Sequence, residues 1–266
     1  MRVPFAAELA VARRAAGAAA EVMLAARDEL EVREKAPRDL VTAADEEAER
    51  EIVAVIRSRF PDDAIVAEEG AADAGATGRR WLVDPIDGTT NYVHGHPFAC
   101  VSIAFADAEG VAAGVIHAPF LREVFSAARG WGAFLNDVPL RVSGVEDPTR
   151  ALLATGFPFK AGKGNPEAYF RLVADAIAAT QGVRRAGSAA LDLAYVAAGR
   201  VEAFFELGLS PWDIAVGMLL VTEAGGRIGG WPGDADSPLH SGRVLASNAR
   251  LHSWLEELVA VHVHAL

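Results

Sequence analysis

The chain contains 266 residues, of which 52% are hydrophobic and 23% are charged. These values predict a packed globular interior, as one large domain or two closely packed halves, and exclude a disordered or fibrous protein. The formal net charge of −11 argues against direct binding of nucleic acid or an anionic membrane, because a basic face supplies most of that affinity. The single cysteine, Cys100, excludes an internal disulfide framework and fits a reducing, cytoplasmic compartment.

The first predicted elements are two helices. Residues 4–30 are rich in alanine, and charges interrupt each apolar run before it reaches the length of a signal sequence, so the segment predicts an amphipathic helix. A polar loop follows, which contains Lys35, Pro37 and Asp39. The second helix is expected to begin after Thr42 as its N-cap and to end near Phe60. No stretch of about 18 uncharged apolar residues is present, so no membrane span is expected.

Strand-like runs then dominate up to about residue 141. Short apolar runs predict strands at 64–67, 80–83, 99–105, 111–117 and 123–127. The last three are separated by turn signals and predict an antiparallel meander.

From about residue 142 the pattern changes to alternating strands and helices. Strands are expected at 152–155, 183–185, 203–205, 227–228 and 244–247, and helices at 166–180, 188–199, 211–224 and 251–261. The sequence therefore predicts an α+β half, residues 1–141, followed by an α/β half, residues 142–266, packed as one unit.

The segment from Asp84 to Thr90 combines residue types that suit a phosphate and a hard cation. It places Asp84 and Asp87 three positions apart where an apolar strand meets a turn at Gly88. Acids at a strand end can hold hard cations through oxygen, and the N–H groups of the turn can hold an anion. Acids in turns are common, so the pair alone is a weak signal, which the neighbouring proline, glycine and hydroxyls strengthen.

Four further acids have both a structural and a functional interpretation. Asp45 follows Thr42 and Asp213 follows Ser210 at the spacing of a capping box, and the pattern alone favours capping in both cases. Glu68 follows a short strand, where acids usually face solvent, and Glu206 is equally consistent with an exposed strand end.

Taken together, these segments resemble the inositol monophosphatase family of lithium-sensitive, Mg²⁺-dependent phosphatases. The matching segments occur in the family's order over nearly the whole chain: Lys35, Asp39 to Asp45, Glu68-Glu69, Trp81 to Pro97, Gly187 to Asp192, and Pro211 to Gly226. The resemblance implies the sugar-phosphatase fold, a layered sandwich of alternating α and β layers.

The resemblance also implies the site residues and two or three Mg²⁺ ions as cofactors. The implied metal ligands are Glu68, Asp84, the carbonyl of Ile86, Asp87 and Asp213. Glu68, Thr89 and Asp45 would be catalytic, with Thr89, supported by Asp45, orienting the attacking water. The implied substrate contacts are Asp87, Gly88, Thr89, Gly187, Ser188, Ala189 and Glu206.

The expected reaction is hydrolysis of inositol 1-phosphate, or a related polyol or sugar monophosphate, by direct attack of a metal-activated water. The sequence contains no nucleophilic triad signature, and positioned Mg²⁺ ions make such a nucleophile unnecessary. Relatives with this fold act on fructose 1,6-bisphosphate, histidinol phosphate or 3′-phosphoadenosine phosphates, and some bacterial members are partners of the transcription machinery. These alternatives stay open. The resemblance further implies a homodimer.

Overall fold

The computed structural model describes residues 3–27, 30–36, 39–70, 72–73, 75–157 and 164–265. The helices within this part of the chain are α1 Ala6–Ala25, α2 Ala43–Arg57, α3 Thr89–Val93, α4 Pro166–Ala179, α5 Ala189–Ala197, α6 Pro211–Glu223, α7 Pro238–Ser241 and α8 His252–Ala260. None of them is long and apolar enough to cross a membrane.

The strands belong to one hairpin and two sheets. The hairpin contains β1 Val32–Ala36 and β2 Asp39–Thr42. The first sheet contains β3 Ala64–Ala67, β4 Ala72–Asp73, β5 Arg80–Asp87, β6 Cys100–Asp107, β7 Gly110–Ala118, β8 Glu123–Ala128, β9 Gly132–Leu135 and β10 Val138–Pro139. The second sheet contains β11 Leu152–Thr155, β12 Gly182–Arg184, β13 Ala203–Leu207, β14 Arg227–Gly229 and β15 Arg243–Ser247.

The first sheet has the strand order β10-β9-β8-β7-β6-β5-β3-β4. All of its neighbours pair antiparallel except β3 and β5, which are parallel. The predicted antiparallel meander is confirmed as β6-β7-β8. The second sheet has the order β12-β11-β13-β15-β14, in which β11 is parallel to both of its neighbours and β15 is antiparallel to both of its own.

Helices and sheets alternate in five layers. Helices α1 and α2 cover one face of the first sheet, where Ile52 packs in the same core as Trp81. Helices α5 and α6 lie between the two sheets in a core that includes Leu193 and Phe204. Helices α4 and α8 cover the outer face of the second sheet. Phe205, which follows Phe204 on β13 and points to the opposite face, packs there. The layered sandwich is therefore confirmed.

The burial of α6 on all sides follows from its place between two sheets. A helix with a single buried face would show an apolar stripe, but α6 has a nearly continuous apolar sequence. Gly114 of β7 lies directly against Val216, so the second-half helix contacts the first-half sheet closely. The two sheets share one core, and the division between residues 141 and 142 stays a prediction.

The structure corrects several element boundaries. The first helix ends at Ala25 instead of residue 30, and the second ends at Arg57. The predicted polar loop is largely the β1–β2 hairpin, in which Val32 pairs with Thr42. Arg33, Glu34 and Lys35 of its first strand are consecutive charged residues and all are exposed, so the alternation of apolar and polar residues that identifies a strand is missing. Pro37, expected in the same loop, lies outside the described residues.

Candidate active site

A cavity of about 720 Å³ lies where segments of both halves meet. Its lining carries carboxyl side chains from both sheets and from two helices, accompanied by one lysine and one arginine. The acids are Glu68, Asp84, Asp87, Asp192, Glu206 and Asp213, and the cations are Lys35 and Arg185. The acids exceed the cations, so the cavity is the most plausible place for the hard cations that the sequence predicts.

Asp84 and Asp87 reach this cavity from the same strand because β5 is irregular between them. Asp84 pairs with Ser102 of β6 and Asp87 pairs with Cys100, so β5 has one residue more than its partner over this stretch. Residues three apart on a regular strand point to opposite faces, and one extra residue in a β-bulge reverses that relation. The Oδ1 atom of Asp84 accepts a hydrogen bond of 3.0 Å from the N–H of Ile86 within the bulge.

Asp87 connects β5 to the start of α5. Its Oδ2 atom accepts hydrogen bonds from the Ser188 hydroxyl at 2.6 Å and from the Ala190 N–H at 2.8 Å. The Ser188 hydroxyl in turn accepts from the N–H of Leu191 as the helix N-cap. One carboxylate of the first half therefore fixes the position of the second-half turn that carries Ser188 and Ala189.

Asp45 has the capping role and also contacts Thr89. Its Oδ2 atom accepts hydrogen bonds from the N–H and the hydroxyl of Thr42, at 2.8 and 2.6 Å, which completes the capping box of α2. Its Oδ1 atom lies 3.2 Å from the Thr89 hydroxyl, which is also 3.0 Å from the carbonyl of Ile86. Asp45 does not line the cavity, so it acts on the cavity through Thr89.

Gly88 and Gly187 allow two chain segments to meet at the cavity. Gly88 has a φ of 94°, and a Cβ there would lie 3.0 Å from the Phe98 carbonyl and 3.2 Å from the Gly187 carbonyl. Asn91 ties the same segments together, since its amide donates to the carbonyls of Phe98, at 2.7 Å, and Ala186, at 2.8 Å. Asn91 belonged to the matching segment but had no predicted role.

Glu68 lies at the end of β3 beside a lysine. The Lys35 ammonium of the hairpin is 3.6 Å from a carboxylate oxygen of Glu68 and forms an ion pair with Glu69. Burial is the largest cause that raises the pKa of Glu69 to about 7, and the lysine opposes it. The ammonium group of Lys35 therefore lies against the acids at this side of the cavity. Lys35 belonged to a matching segment but had no predicted role.

Asp213 and Glu206 reach the cavity from the second half. The Oδ2 atom of Asp213 accepts from the N–H of Ser210 at 2.7 Å, so Asp213 also caps α6. A Cβ at Gly156 would overlap the carboxylate of Glu206, so the glycine provides the space that Glu206 occupies. Burial, followed by the charges of Asp213 and Asp87, raises the pKa of Glu206 to about 8.

The electrostatics of the acids fit a hard cation. Burial is the main cause that raises the pKa of Asp84 well above its usual range, and the charges of Glu68, Asp87, Asp213 and Asp45 raise it further. Burial also raises the pKa of Asp87 to about 6. Repelling carboxylates of this kind are compensated by a divalent ion, and Mg²⁺ prefers oxygen ligands.

The acids are nevertheless not assembled around a single point. Within the described part of the chain, no three acidic, histidine or cysteine side chains stand close enough together to enclose a metal ion. The donor types and the charge fit Mg²⁺, and binding requires side-chain adjustment because carboxylates without an ion repel each other.

The structure brings together all but one of the residues predicted from the resemblance. The residues that line the cavity are Glu68, Asp84, Ile86, Asp87, Gly88, Thr89, Gly187, Ser188, Ala189, Glu206 and Asp213, whereas Asp45 lies behind Thr89. The lining also contains Asp192 and Arg185, to which the sequence assigned no site role. Asp192 ends the matching segment that begins at Gly187, and Arg185 lies two positions before it, so this match was the available signal.

Comparison with known proteins shows the family of the chain. The model of the inositol monophosphatase family matches residues 6–265. The chain is 42% identical to Nus factor SuhB of Pseudomonas aeruginosa over 262 residues, which cover 96% of each protein. It is 44% identical to inositol-1-monophosphatase of Mesorhizobium japonicum over 220 residues, 82% of each.

A solved structure shows the same fold. The extragenic suppressor protein SuhB of Bartonella henselae superposes with a TM-score of 0.91 at 38% identity, covering 96% of this chain and 98% of that one. The fold and the acidic cavity define a metal-dependent phosphatase class. The chain belongs to the inositol monophosphatase family.

Proposed function

We propose that the protein is a Mg²⁺-dependent phosphomonoesterase that hydrolyses inositol 1-phosphate or a related polyol or sugar monophosphate. The observation that carries the proposal is the convergence of Asp84, Asp87 and Asp213 on one cavity that also contains Gly88 and Thr89. The family match supports the same reaction class, and the relative from Mesorhizobium japonicum is named inositol-1-monophosphatase.

The proposed metal ligands are Glu68, Asp84, the Ile86 carbonyl, Asp87 and Asp213. When bound, Mg²⁺ would lower the pKa of a water ligand and neutralise charge on the phosphate oxygens. A hydrogen bond within the bulge holds Asp84, and a hydrogen bond from Ser188 at the start of α5 holds Asp87. Because both carboxylates are already held at the cavity, they need to move little to bind an ion. The number of ions, two or three, is part of the proposal and is implied by the resemblance to the family.

Thr89 and Asp45 are the proposed pair that orients water. The Thr89 hydroxyl lies within hydrogen-bond distance of Asp45, and the other carboxylate oxygen of Asp45 is occupied by Thr42. Asp45 is buried and its pKa is raised, mainly by burial. Because the hydroxyl donates its single proton to Asp45 or to the Ile86 carbonyl, its lone pairs are left to accept a hydrogen bond from a water in the cavity and so to orient that water.

The phosphate and the alcohol would bind to different parts of the lining. We propose that the backbone of Gly88 and Thr89 receives the phosphate, because N–H groups in a tight turn bind anions. Asp87, Gly187, Ser188, Ala189 and Glu206 would contact the alcohol. Hydroxyl groups of a polyol are suited to donate hydrogen bonds to the Glu206 carboxylate.

The test is phosphate release from inositol 1-phosphate, fructose 1,6-bisphosphate, histidinol phosphate and 3′-phosphoadenosine phosphate, with and without Mg²⁺. We expect the highest kcat/KM with inositol 1-phosphate, and a loss of activity without Mg²⁺ or with added Li⁺. The Asp213→Asn variant should be inactive, and Asp236→Asn, which changes an exposed acid outside the lining, should retain activity. Unchanged Mg²⁺-dependent turnover in Asp213→Asn would show that the metal assignment is wrong.

The names of relatives support a second candidate, binding to the transcription machinery. The proteins of Pseudomonas aeruginosa and Vibrio cholerae, 42% and 41% identical to this chain, are named Nus factor SuhB. Co-purification with RNA polymerase, compared between wild type and Asp213→Asn, separates the roles. Retained association in an inactive variant supports a binding role, and no association in either protein contradicts it.

The oligomeric state and the cellular location of the protein are further predictions of this proposal. A homodimer is expected from the resemblance to the family, and light scattering should give about twice the monomer mass of 28.0 kDa. A cytoplasmic location follows from the expected reducing environment of Cys100, and cell fractionation tests it.

A further inference from the structure

Asp192 is an acid in the cavity that the proposed reaction does not use. It lies in the first turn of α5, and only 3% of its surface is exposed. The small exposed part opens to the cavity, because Asp192 belongs to the lining. It lies five positions after Gly187 and is not one of the proposed metal ligands.

Asp192 differs from the other buried acids of the site in its hydrogen bonds. Asp45 accepts from the backbone and hydroxyl of Thr42, and Asp87 accepts from Ser188 and Ala190. Among the described residues, no side chain or backbone N–H donates to the carboxylate of Asp192. A buried carboxylate without a donor is costly unless a molecule in the cavity supplies one.

Glu206 resembles Asp192 in lacking a hydrogen-bond donor. It lines the cavity, and within the described ranges it also has no hydrogen-bond donor. The charge of Glu206 is the largest cause, after burial, that raises the pKa of Asp192, so the two carboxyl groups are close enough to interact. Arg185 lowers the pKa of both, which places one guanidinium near the pair.

Asp192, Glu206 and Arg185 all line the cavity and are close enough to influence each other's pKa, so we describe them as one small polar cluster. The guanidinium of Arg185 is also 5.6 Å from the ring of Phe157, another lining residue, and this contact restrains its position. The cluster presents two acceptor groups and one donor group to the cavity. Adjacent hydroxyls of a polyol both donate and accept, so they match such a set.

We propose that Asp192 is a specificity-determining residue that accepts a hydrogen bond from a second hydroxyl of the substrate, next to the one bound by Glu206. The inference rests on the proposed phosphatase function and deepens it. The cavity then selects phosphate esters of alcohols with at least two neighbouring hydroxyls over esters that have none.

A purely structural role for Asp192 predicts different behaviour. A structural acid stabilises its helix or loop through backbone N–H groups, as Asp87 does at the start of α5. Removing such an acid lowers stability and reduces the turnover of every substrate alike. A substrate contact affects only the substrates that carry the hydroxyl.

The test compares inositol 1-phosphate with p-nitrophenyl phosphate, whose alcohol part carries no hydroxyl group besides the oxygen that forms the ester. In Asp192→Asn and Asp192→Ala we expect kcat/KM for inositol 1-phosphate to fall about 10-fold to 100-fold, mainly through KM, because the hydrogen bond between the buried acid and the substrate hydroxyl is weakened or lost. Turnover of p-nitrophenyl phosphate should change by less than about twofold. Asp236→Asn, at an exposed aspartate outside the cavity, is the matched control and should change neither.

Two outcomes overturn the inference. An equal loss with both substrates means that Asp192 supports the fold or the reacting groups, and unchanged kinetics with both mean that it does not contact substrate. If wild type hydrolyses neither ester, the proposed function fails, and thermal denaturation decides the inference separately. Inositol 1-phosphate with Mg²⁺ should then raise the Tm of wild type more than that of Asp192→Asn, and an equal rise contradicts the inference.

Discussion

Asp84 and Asp87 lie three positions apart on one strand, and both line the same cavity. A regular strand would direct one of them to the core between α1, α2 and the first sheet. The extra residue of β5 between the Ser102 and Cys100 pairs turns both towards the cavity. One strand thereby contributes two carboxylates to the cavity lining before any other element contributes, which makes this strand the centre of the site.

The first prediction concerns metal binding by Asp84. In Asp84→Asn the amide keeps an oxygen for the N–H of Ile86 but removes a charge that four neighbouring acids repel. We expect the Tm of the metal-free variant to equal or exceed that of wild type, with Mg²⁺-dependent activity reduced roughly 100-fold or more. Calorimetry in EDTA and a phosphate-release assay measure the two effects.

The same variant tests whether metal binding stabilises the fold. Mg²⁺ at about 100 times its Kd should stabilise wild type by about 2.7 kcal/mol, and the stabilisation should be absent in Asp84→Asn. Asp236→Asn serves as the control and should respond like wild type. A full Mg²⁺ response in Asp84→Asn contradicts its role as a ligand.

The second prediction concerns the Thr89 hydroxyl. Thr89→Ala removes the group that lies 3.2 Å from Asp45, and we expect kcat to fall about 100-fold or more, with less change in KM. Thr89→Ser keeps the hydroxyl and should retain activity within about tenfold of wild type. Steady-state kinetics distinguish them. Equal activity of the serine and alanine variants would exclude a role for the hydroxyl.

The third prediction concerns the space that Gly156 provides for Glu206. Gly156→Ala adds a Cβ that overlaps the Glu206 carboxylate, so the acid must move away from its place in the cavity. We expect KM for inositol 1-phosphate to rise about tenfold, as in Glu206→Gln, with little change in kcat. Gly144→Ala is the matched control, because a Cβ there meets nothing within 4 Å. Similar KM values for both alanine variants contradict the prediction.

The fourth prediction concerns pH and the buried His252. Burial is the main cause that lowers its pKa below the usual 6.5 in the folded protein, and Arg227 lowers it further. The unfolded chain therefore takes up the proton first. The contribution of His252 to stability is complete above about pH 7 and decreases, by at most about 1.4 kcal/mol per pH unit, as the pH falls through 6.5.

Denaturation of wild type and His252→Asn between pH 5 and 8 measures this contribution. The free energy of unfolding of wild type minus that of the variant should decrease as the pH falls, because the variant lacks the titrating group. His264→Asn, at an exposed histidine near the C-terminus, should leave the pH dependence unchanged. A constant difference between wild type and His252→Asn would exclude the coupling.

Most elements of the second half could be predicted because each one has a strong local signal. The prediction of β11 at residues 152–155 is confirmed to the residue, and α6 begins at Pro211 after Ser210, as the capping pattern indicated. The β1–β2 hairpin and α3 were missed for different reasons. The hairpin has charges on both faces, and α3 has five residues, too few to show helical periodicity.

The site could be predicted only in part from single residues. Asp45 and Asp213 carry a clear capping pattern, and the structure shows that Asp45 also contacts Thr89 while Asp213 also lines the cavity. Neither fact has a local signal, because each depends on what packs opposite the helix start. The roles assigned by resemblance to Glu68 and Glu206 remain predictions, and the kinetics of Gly156→Ala and Glu206→Gln test the second.

The sequence by itself determined the class of the protein and the identity of the acids around Asp84. The spacing of Asp84 and Asp87, the caps at Thr42 and Ser210 and the alternation of strands are all local patterns, and local patterns are readable from a chain. The tertiary structure decided which of these acids share one cavity. It also decided that Asp192 of α5 is buried in the lining without a hydrogen-bond donor among the described residues, since burial and hydrogen bonding depend on neighbours distant in sequence.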